Sequence, residues 1–255
     1  MGFLLREDQA RQIAMLESRI GWKGARVLEI GGDLDGQVAN TILSLGSKSV
    51  IAINHDDAFD HVKEAEGLTR LKMDARNLEF PANHFDIVLG MAVLEHLREL
   101  DVVLRNVRRV LRPNGHAFFH GGPLWNSYFG HHLVLDAPSG RQFRFWGPDC
   151  PIENWDHLLL EPQQMQAKLL SQGCEQADCK AIVDYVYGSD LINRYSSDVI
   201  LGHIKNNNFR ILDLKVQQRK ESELTPDISQ KLSDKLGLPR SEFLTSSVEI
   251  LLKNS

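Results

Sequence analysis

Ala25-Arg-Val-Leu-Glu-Ile-Gly-Gly-Asp-Leu-Asp-Gly36 is the stretch that decides the fold. An apolar run ends in paired glycines, as a buried strand does when it enters a tight turn. Beyond the turn, Val38, Ile42 and Leu45 share one face of a helix that starts at Gln37, and Gly46 stops it. Ser49-Val-Ile-Ala-Ile-Asn54 is a second buried strand.

Reading outward, the alternation continues. Ala58–Glu66 is a short helix candidate, Leu71–Asp74 a short strand, and Phe85–Met91 a strong buried strand. Leu97, Leu100, Leu104, Val107 and Leu111 form a helical stripe that Arg112-Pro-Asn-Gly115 breaks, and His116–His120 is the next strand. This rhythm implies right-handed crossovers and a mostly parallel sheet. Upstream, Leu4, Ile13, Leu16 and Ile20 mark one or two amphipathic helices. Downstream the rhythm stops: residues 121–157 read as an aromatic-rich loop holding Trp125, Trp146 and Trp155. Loops of that length are uncommon and tend to be functional. Glu161–Gln172 and Ser196–Ile204 read as helices, and Ala181–Tyr187 is open between strand and helix. Phe209–Val216 is a strand, Thr225–Leu236 a helix with Pro226 in its first turn, and Thr245–Lys253 a final strand.

A glycine turn after a buried strand lets a ligand approach the main chain, and the following helix N-terminus favours polar or negative groups. An ordinary strand-to-helix loop has the same look. The turn is not G-x-G-x-x-G and lacks Gly-Lys-Ser/Thr, so neither a dinucleotide fingerprint nor a P-loop is supported.

Composition sets outer limits. The 255 residues fit one large domain or one domain with an insert. Lys and Arg total 29 against 34 Asp and Glu, a net charge of −5, which opposes a protein built to grip nucleic-acid phosphate. No apolar run reaches membrane-spanning length, and the first residues lack the pattern of a secretory signal or a myristoylation site. Cys150, Cys174 and Cys179 are too few for a disulfide framework and are read as reduced thiols without a metal, in a cytoplasmic protein.

Val27-Leu-Glu-Ile-Gly31 resembles the first motif of class I S-adenosylmethionine-dependent methyltransferases of the type 11 kind, V-L-E/D-I-G-x-G-x-G. Further resemblances follow in order: Val50–Asn54, Met73-Asp74-Ala75, Phe80-Pro81 with Phe85–Val88, Val93-Leu-Glu-His-Leu97, and Leu111-Arg-Pro-Asn-Gly115. They cover residues 25–120. The C-terminal helix and strands fit too, whereas the resemblance is weak over 121–205.

The resemblance implies an α/β, doubly wound, Rossmann-like sheet of seven mostly parallel strands with a terminal antiparallel strand and an inserted cap. On this reading residues 1–24 are N-terminal helices, 25–120 the cofactor-binding core, 121–204 the acceptor-facing cap and 205–255 the part that completes the sheet. Glu29, Gly31, Gly32 and Asp33 would line the methionine moiety of S-adenosyl-L-methionine. Asn54, followed by His55, would hold the ribose. Asp74 and Ala75 would meet the adenine, and Gly90 and Met91 the sulfonium end. Two departures stand out: Asp33 takes a usual glycine position, and Asn54 a usual carboxylate. They leave open a chain that binds cofactor without catalysis.

Methyl transfer from a sulfonium needs the acceptor held in line, and an oxygen acceptor of high pKa needs a general base. The histidines offer three candidates: His131, His132 and, on a weaker claim, His120. Each has a plain structural alternative, a ring satisfied by backbone groups, and for His131 or His132 a further one is open, joining a carboxylate to hold a metal. His96 is read as structural or as a neighbour of the cofactor pocket. Trp125, Tyr128, Phe129, Phe143, Phe145 and Trp146 either stack on an acceptor or pack the cap; Arg141, Arg144 and Asn193-Arg194-Tyr195 either meet the acceptor or pair locally. The expected acceptor is a small molecule, most simply an oxygen of a sugar, glycan or secondary metabolite. No nucleic-acid or membrane partner is expected, and the N-terminal helices and cap are candidate homodimer surfaces. There is no Asn/Asp-Pro-Pro-Tyr/Phe signature of base methylation.

Overall fold

A computed structural model describes residues 5–57, 59 and 66–254. Two units emerge: residues 1–121, 201–215 and 249–255 form the first, and 122–200 with 216–248 the second. The stretch 216–248, expected with the sheet-completing part, groups with 122–200.

The first unit carries the strand–helix alternation. Its strands are β1 (Arg26–Ile30), β2 (Ser49–Asn54), β3 (Leu68–Lys72), β4 (Phe85–Gly90) and β5 (Leu111–Gly121). β1 pairs in parallel with β2 and β4, β2 with β3, and β4 with β5. With β8 (Phe209–Gln218) and β9 (Thr245–Asn254), the sheet order is β3-β2-β1-β4-β5-β9-β8. β9 is antiparallel and fills the place between β5 and β8. Val27, Leu28, Val88 and Leu89 are fully buried, as residues of a sheet covered on both faces must be. Burying each contributes about 1.5–3 kcal/mol against conformational entropy.

The helices of this unit are α1 (Glu7–Arg19), α2 (Gln37–Ser44) and α3 (Leu100–Val110). α1 opens with Glu7 and Asp8 in its first turn and buries Ile13 and Leu16. α3 buries Leu100, Val103, Leu104, Val107 and Val110 on one stripe; Leu97 lies before it.

Two expectations shift. The third strand ends at Lys72, so Met73-Asp74 lies in the turn after it. Asp74 ends the strand by accepting a hydrogen bond from the Arg76 amide at 2.8 Å. Arg112–Gly115 does not separate α3 from its strand but lies within β5 as a register shift, Phe85 facing Leu111 and Ile87 facing His116. A Cβ on Gly115 would lie 2.9 Å from the Arg112 carbonyl and 3.0 Å from that of Asp86, so the excursion needs glycine. The helix candidate Ala58–Glu66 falls almost wholly outside the described residues, as do Met1–Leu4.

The second unit holds more order than an aromatic loop. β6 (Val134–Asp136) and β7 (Gln142–Arg144) form an antiparallel hairpin whose turn is fixed by Ser139, which donates to Asp178 through its amide at 3.0 Å and its hydroxyl at 2.6 Å. The helices are α4 (Asp156–Leu159), α5 (Pro162–Ser171), α6 (Gln176–Val183), α7 (Ser197–Asn206, which runs on into the first unit), α8 (Pro226–Leu236) and α9 (Arg240–Leu244). The ambiguous Ala181–Tyr187 is the end of α6 followed by a π-helical turn over Asp184–Gly188. Phe143, Met165, Leu169, Cys179 and Ile182 centre one apolar cluster; Trp155, Leu224, Leu232 and Phe243 centre another.

Candidate cofactor site

The turn after β1 is held from three sides. Gly31 has φ +78 and Gly36 φ +64, values an L side chain adopts only under strain. The Gly31 and Gly32 amides donate to the Ile53 carbonyl at 2.9 and 3.1 Å, tying the turn to the end of β2. Asp33 Oδ1 accepts from the Gln37 amide at 3.0 Å. The residue in the usual glycine position therefore satisfies an orphan N–H at the start of α2.

Glu29 stands beneath this turn, buried, and among the described residues no group donates a hydrogen bond to its carboxyl. Burial, reinforced by the Asp33 charge and opposed by Arg70, pushes its pKa up to about 8. A buried carboxyl without a donor fits a cationic ligand group, and the ammonium of S-adenosylmethionine is one.

Asn54 spans the turn and its own loop. Its Nδ2 donates to the Gly32 carbonyl at 2.9 Å, and its Oδ1 accepts from the Asp56 amide at 3.2 Å. His55 is exposed beside it. Asp74 accepts from Arg76 through Nε at 3.0 Å and Nη2 at 2.7 Å. That ion pair holds the Asp74 carboxyl below the usual range. Ala75 is buried beneath it.

At the ends of β4 and β5, Gly90 gives way to Val93 and Phe119: a Cβ there would collide with Val93 and lie 3.0 Å from Phe119 Cδ1. Gly31 faces the same valine, at 2.8 Å from a Cβ. Met91 is buried beside them. His120 closes this end: its Nδ1 accepts from the Ala92 amide at 3.3 Å, and its carbonyl accepts from Val93 at 3.0 Å. A neutral ring so bonded carries its proton on Nε2 and offers a donor. Burial lowers the His120 pKa, with Glu249 and Asp8 opposing that shift and Arg6 and Arg11 adding to it.

The other two histidines lie in the second unit. His131 Nδ1 accepts from the Leu133 amide at 3.2 Å, so its proton is on Nε2, where no partner among the described residues meets it. Burial and the rings of His157 and His132 hold its pKa well below the usual value. His132 has the opposite polarity. Its Nδ1 lies 3.3 Å from the Gly130 carbonyl, which requires the proton on Nδ1 and leaves the lone pair on Nε2. The backbone there is left-handed, φ +48, and the His132 carbonyl accepts from Tyr185 Oη at 2.9 Å.

The aromatics divide. Phe143 is core, Tyr128 packs edge-on against Trp155 at 5.1 Å, and Trp146 is 64% exposed. Arg144 is paired with Asp136 at 2.6 Å, and Arg141 lies over the Phe143 ring at 4.8 Å. Arg194 donates to the Tyr187 carbonyl at 2.7 Å and covers the Trp125 ring at 4.8 Å. These arginines are engaged locally.

Sequence reasoning missed two residues. His157 donates from Nε2 to the Trp125 carbonyl at 2.8 Å, and its ring lies 5.4 Å from that of His131. Burial pushes its pKa down to about 4. Arg70 lies in β3, donating to the Leu34 carbonyl at 3.1 Å. A cation inside a strand that precedes Asp74-Ala75 was the signal for it.

Comparison with known proteins bears on the fold and on residues 28–119. Residues 28–119 match the family described as a methyltransferase domain. Fusarin C synthetase of Gibberella fujikuroi is 27% identical over 152 residues, a match taking in 53% of this chain and 4% of that protein. The ubiquinone/menaquinone biosynthesis C-methyltransferase UbiE of Nitrosospira multiformis is 33% identical over 102 residues, 36% of this chain and 41% of that protein. The chain thus spans less than half the length of either curated relative. The crystal structure of an S-adenosylmethionine dependent methyltransferase from Mesorhizobium loti superposes with a TM-score of 0.53 at 15% identity, covering 96% of this chain and 99% of that one. Residues 28–119 thus carry a methyltransferase domain, on a fold shared with S-adenosylmethionine-dependent methyltransferases.

Proposed function

We propose that the chain transfers the methyl group of S-adenosylmethionine to a small-molecule acceptor. The observation that carries this reading is the buried Glu29 carboxyl beneath the Gly31–Gly36 turn, to which no group among the described residues donates. The cofactor supplies an electrophilic methyl. The chain's own residues hold the cofactor's amino-acid end at Glu29 and the turn, its ribose near Asn54 and His55, and its adenine near Asp74 and Ala75. Gly90 and Met91 border the sulfonium end.

The acceptor atom we infer is oxygen, on a sugar, glycan or secondary metabolite. Its proton needs a base with a lone pair. His120 and His131 accept main-chain N–H bonds at Nδ1, whereas His132 Nδ1 faces the Gly130 carbonyl, a polarity that puts its basic nitrogen at Nε2. His132 is therefore the proposed base. His120 and His131 serve as donors that orient an acceptor oxygen. UbiE is named for methylation at carbon, so the assay includes carbon acceptors.

A second reading is cofactor binding without turnover. The Asn54 amide favours it, because both its polar ends are spent on the Gly32 carbonyl and the Asp56 amide rather than kept for a ribose diol. Transfer of labelled methyl to panels of sugars, polyketides and quinol-type carbon acceptors decides between the two. Turnover lost in His132→Ala supports the first; tight binding with no turnover on any panel supports the second.

A further inference from the structure

Glu29 of β1 lies opposite Ala52 of β2, and Ala52 lies opposite Arg70 of β3. Laterally paired residues of a sheet project to the same face. An acid and a guanidinium thus flank a small alanine, all on the face that carries the glycine turn. The turn sits directly on this row: a Cβ on Gly32 would lie 2.9 Å from the Ala52 Cβ and 3.6 Å from Glu29 Cδ, and one on Gly36 would collide with the Arg70 guanidinium. Arg70 Nη1 donates to the Leu34 carbonyl at 3.1 Å, and its buried Nε has no hydrogen-bond partner among the described residues. The turn is acidic, with Asp33 and Asp35 following Glu29. Asp33 and Arg70 are the charged groups that act on Glu29, with opposite sign.

We propose that Arg70 is a positioning residue for the cofactor: it latches the Gly31–Gly36 turn at Leu34 and counters the charge of Glu29 and Asp33, so that turn and carboxyl stand ready for the cofactor's amino-acid end. The inference rests on the proposed cofactor site and gives the Asp33 departure a partner. An aspartate in a glycine's place adds a charge beside a buried acid, and Arg70, across Ala52 from that acid, acts on it with the opposite sign. Gly36 is glycine because its backbone is left-handed, and the Arg70 guanidinium packs into the space that a side chain would enter.

Two measurements on the full chain test it. In the cofactor-free protein, hydrogen exchange of the amides of residues 33–37 should quicken roughly tenfold in Arg70→Met, the loss of about one charge-assisted hydrogen bond. Titration calorimetry with S-adenosylhomocysteine over pH 6–9 should give an affinity roughly tenfold lower in Arg70→Met, with the pH midpoint of binding moved upward. Adding Asp33→Gly to Arg70→Met should bring that midpoint back down. Arg70→Lys, which keeps charge without the planar fork, should keep the midpoint and lose turn protection. Unchanged exchange in Arg70→Met and Arg70→Lys overturns the latch. An unmoved midpoint in Arg70→Met, or a moved one in Arg70→Lys, overturns the charge role. A wild-type protein that ignores S-adenosylhomocysteine refutes the cofactor reading instead, and the exchange arm still decides the latch.

Discussion

The side-chain amide of Asn54, at the end of β2, donates to the main-chain carbonyl of Gly32 at 2.9 Å. This bond joins the residue expected to meet the ribose to the turn expected to meet the methionine. Asn54→Ala removes it and frees the Asp56 amide; the stability loss should be about 1 kcal/mol by urea unfolding. Asn54→Asp should lose at least as much in the cofactor-free protein, because a carboxylate cannot donate to the Gly32 carbonyl and repels it. A more stable Asn54→Asp protein would contradict this role.

Glu29 makes stability pH-dependent. Its folded pKa is raised to about 8 from an ordinary 4.5, so between these values the folded chain holds a proton that the unfolded chain has released. Stability therefore falls as pH rises through that window, by an amount of the order of a few kcal/mol. Glu29→Gln should flatten that part of the profile and unfold at higher denaturant than wild type at pH 8. Equilibrium unfolding at intervals from pH 5 to 9 checks the sign.

Glycine substitutions separate backbone strain from collision. Gly24 and Gly36 both have positive φ, but a Cβ on Gly24 meets nothing within 4 Å, whereas one on Gly36 meets Arg70. Gly24→Ala should cost about 1 kcal/mol, the left-handed penalty alone. Gly36→Ala should cost more, and Gly36→Ala with Arg70→Ala should recover the difference in thermal melts.

His132→Ala should abolish methyl transfer to an oxygen acceptor and leave S-adenosylhomocysteine affinity unchanged. His131→Ala should lower transfer less, since its lone pair is already bonded to the Leu133 amide. Single-turnover assays with calorimetry distinguish the two effects. Equal losses in both variants would remove the proposed division of labour.

The order of strands in the first unit was legible because buried parallel strands read as apolar runs and glycines mark their ends, as at Gly31 and Gly90. The third strand was misplaced because Thr69 and Arg70 interrupt its apolar run, although Arg70 spends its charge on the turn. Residues 121–157 read as loop because the β6–β7 hairpin has strands of only three residues each, too short for a period-2 signal. His157 was missed because its partner, the Trp125 carbonyl, lies 32 residues away. Which histidine nitrogen holds a lone pair depends on backbone groups that no spacing reveals.

Calorimetric titration of the full chain with S-adenosylhomocysteine tests the central claim most directly, beside Gly32→Val, whose side chain would press on Ala52. Saturable one-to-one binding to wild type, lost in a folded Gly32→Val protein, is the predicted result. No binding by wild type at about 1 mM ligand, an affinity weaker than about −4 kcal/mol, would contradict it.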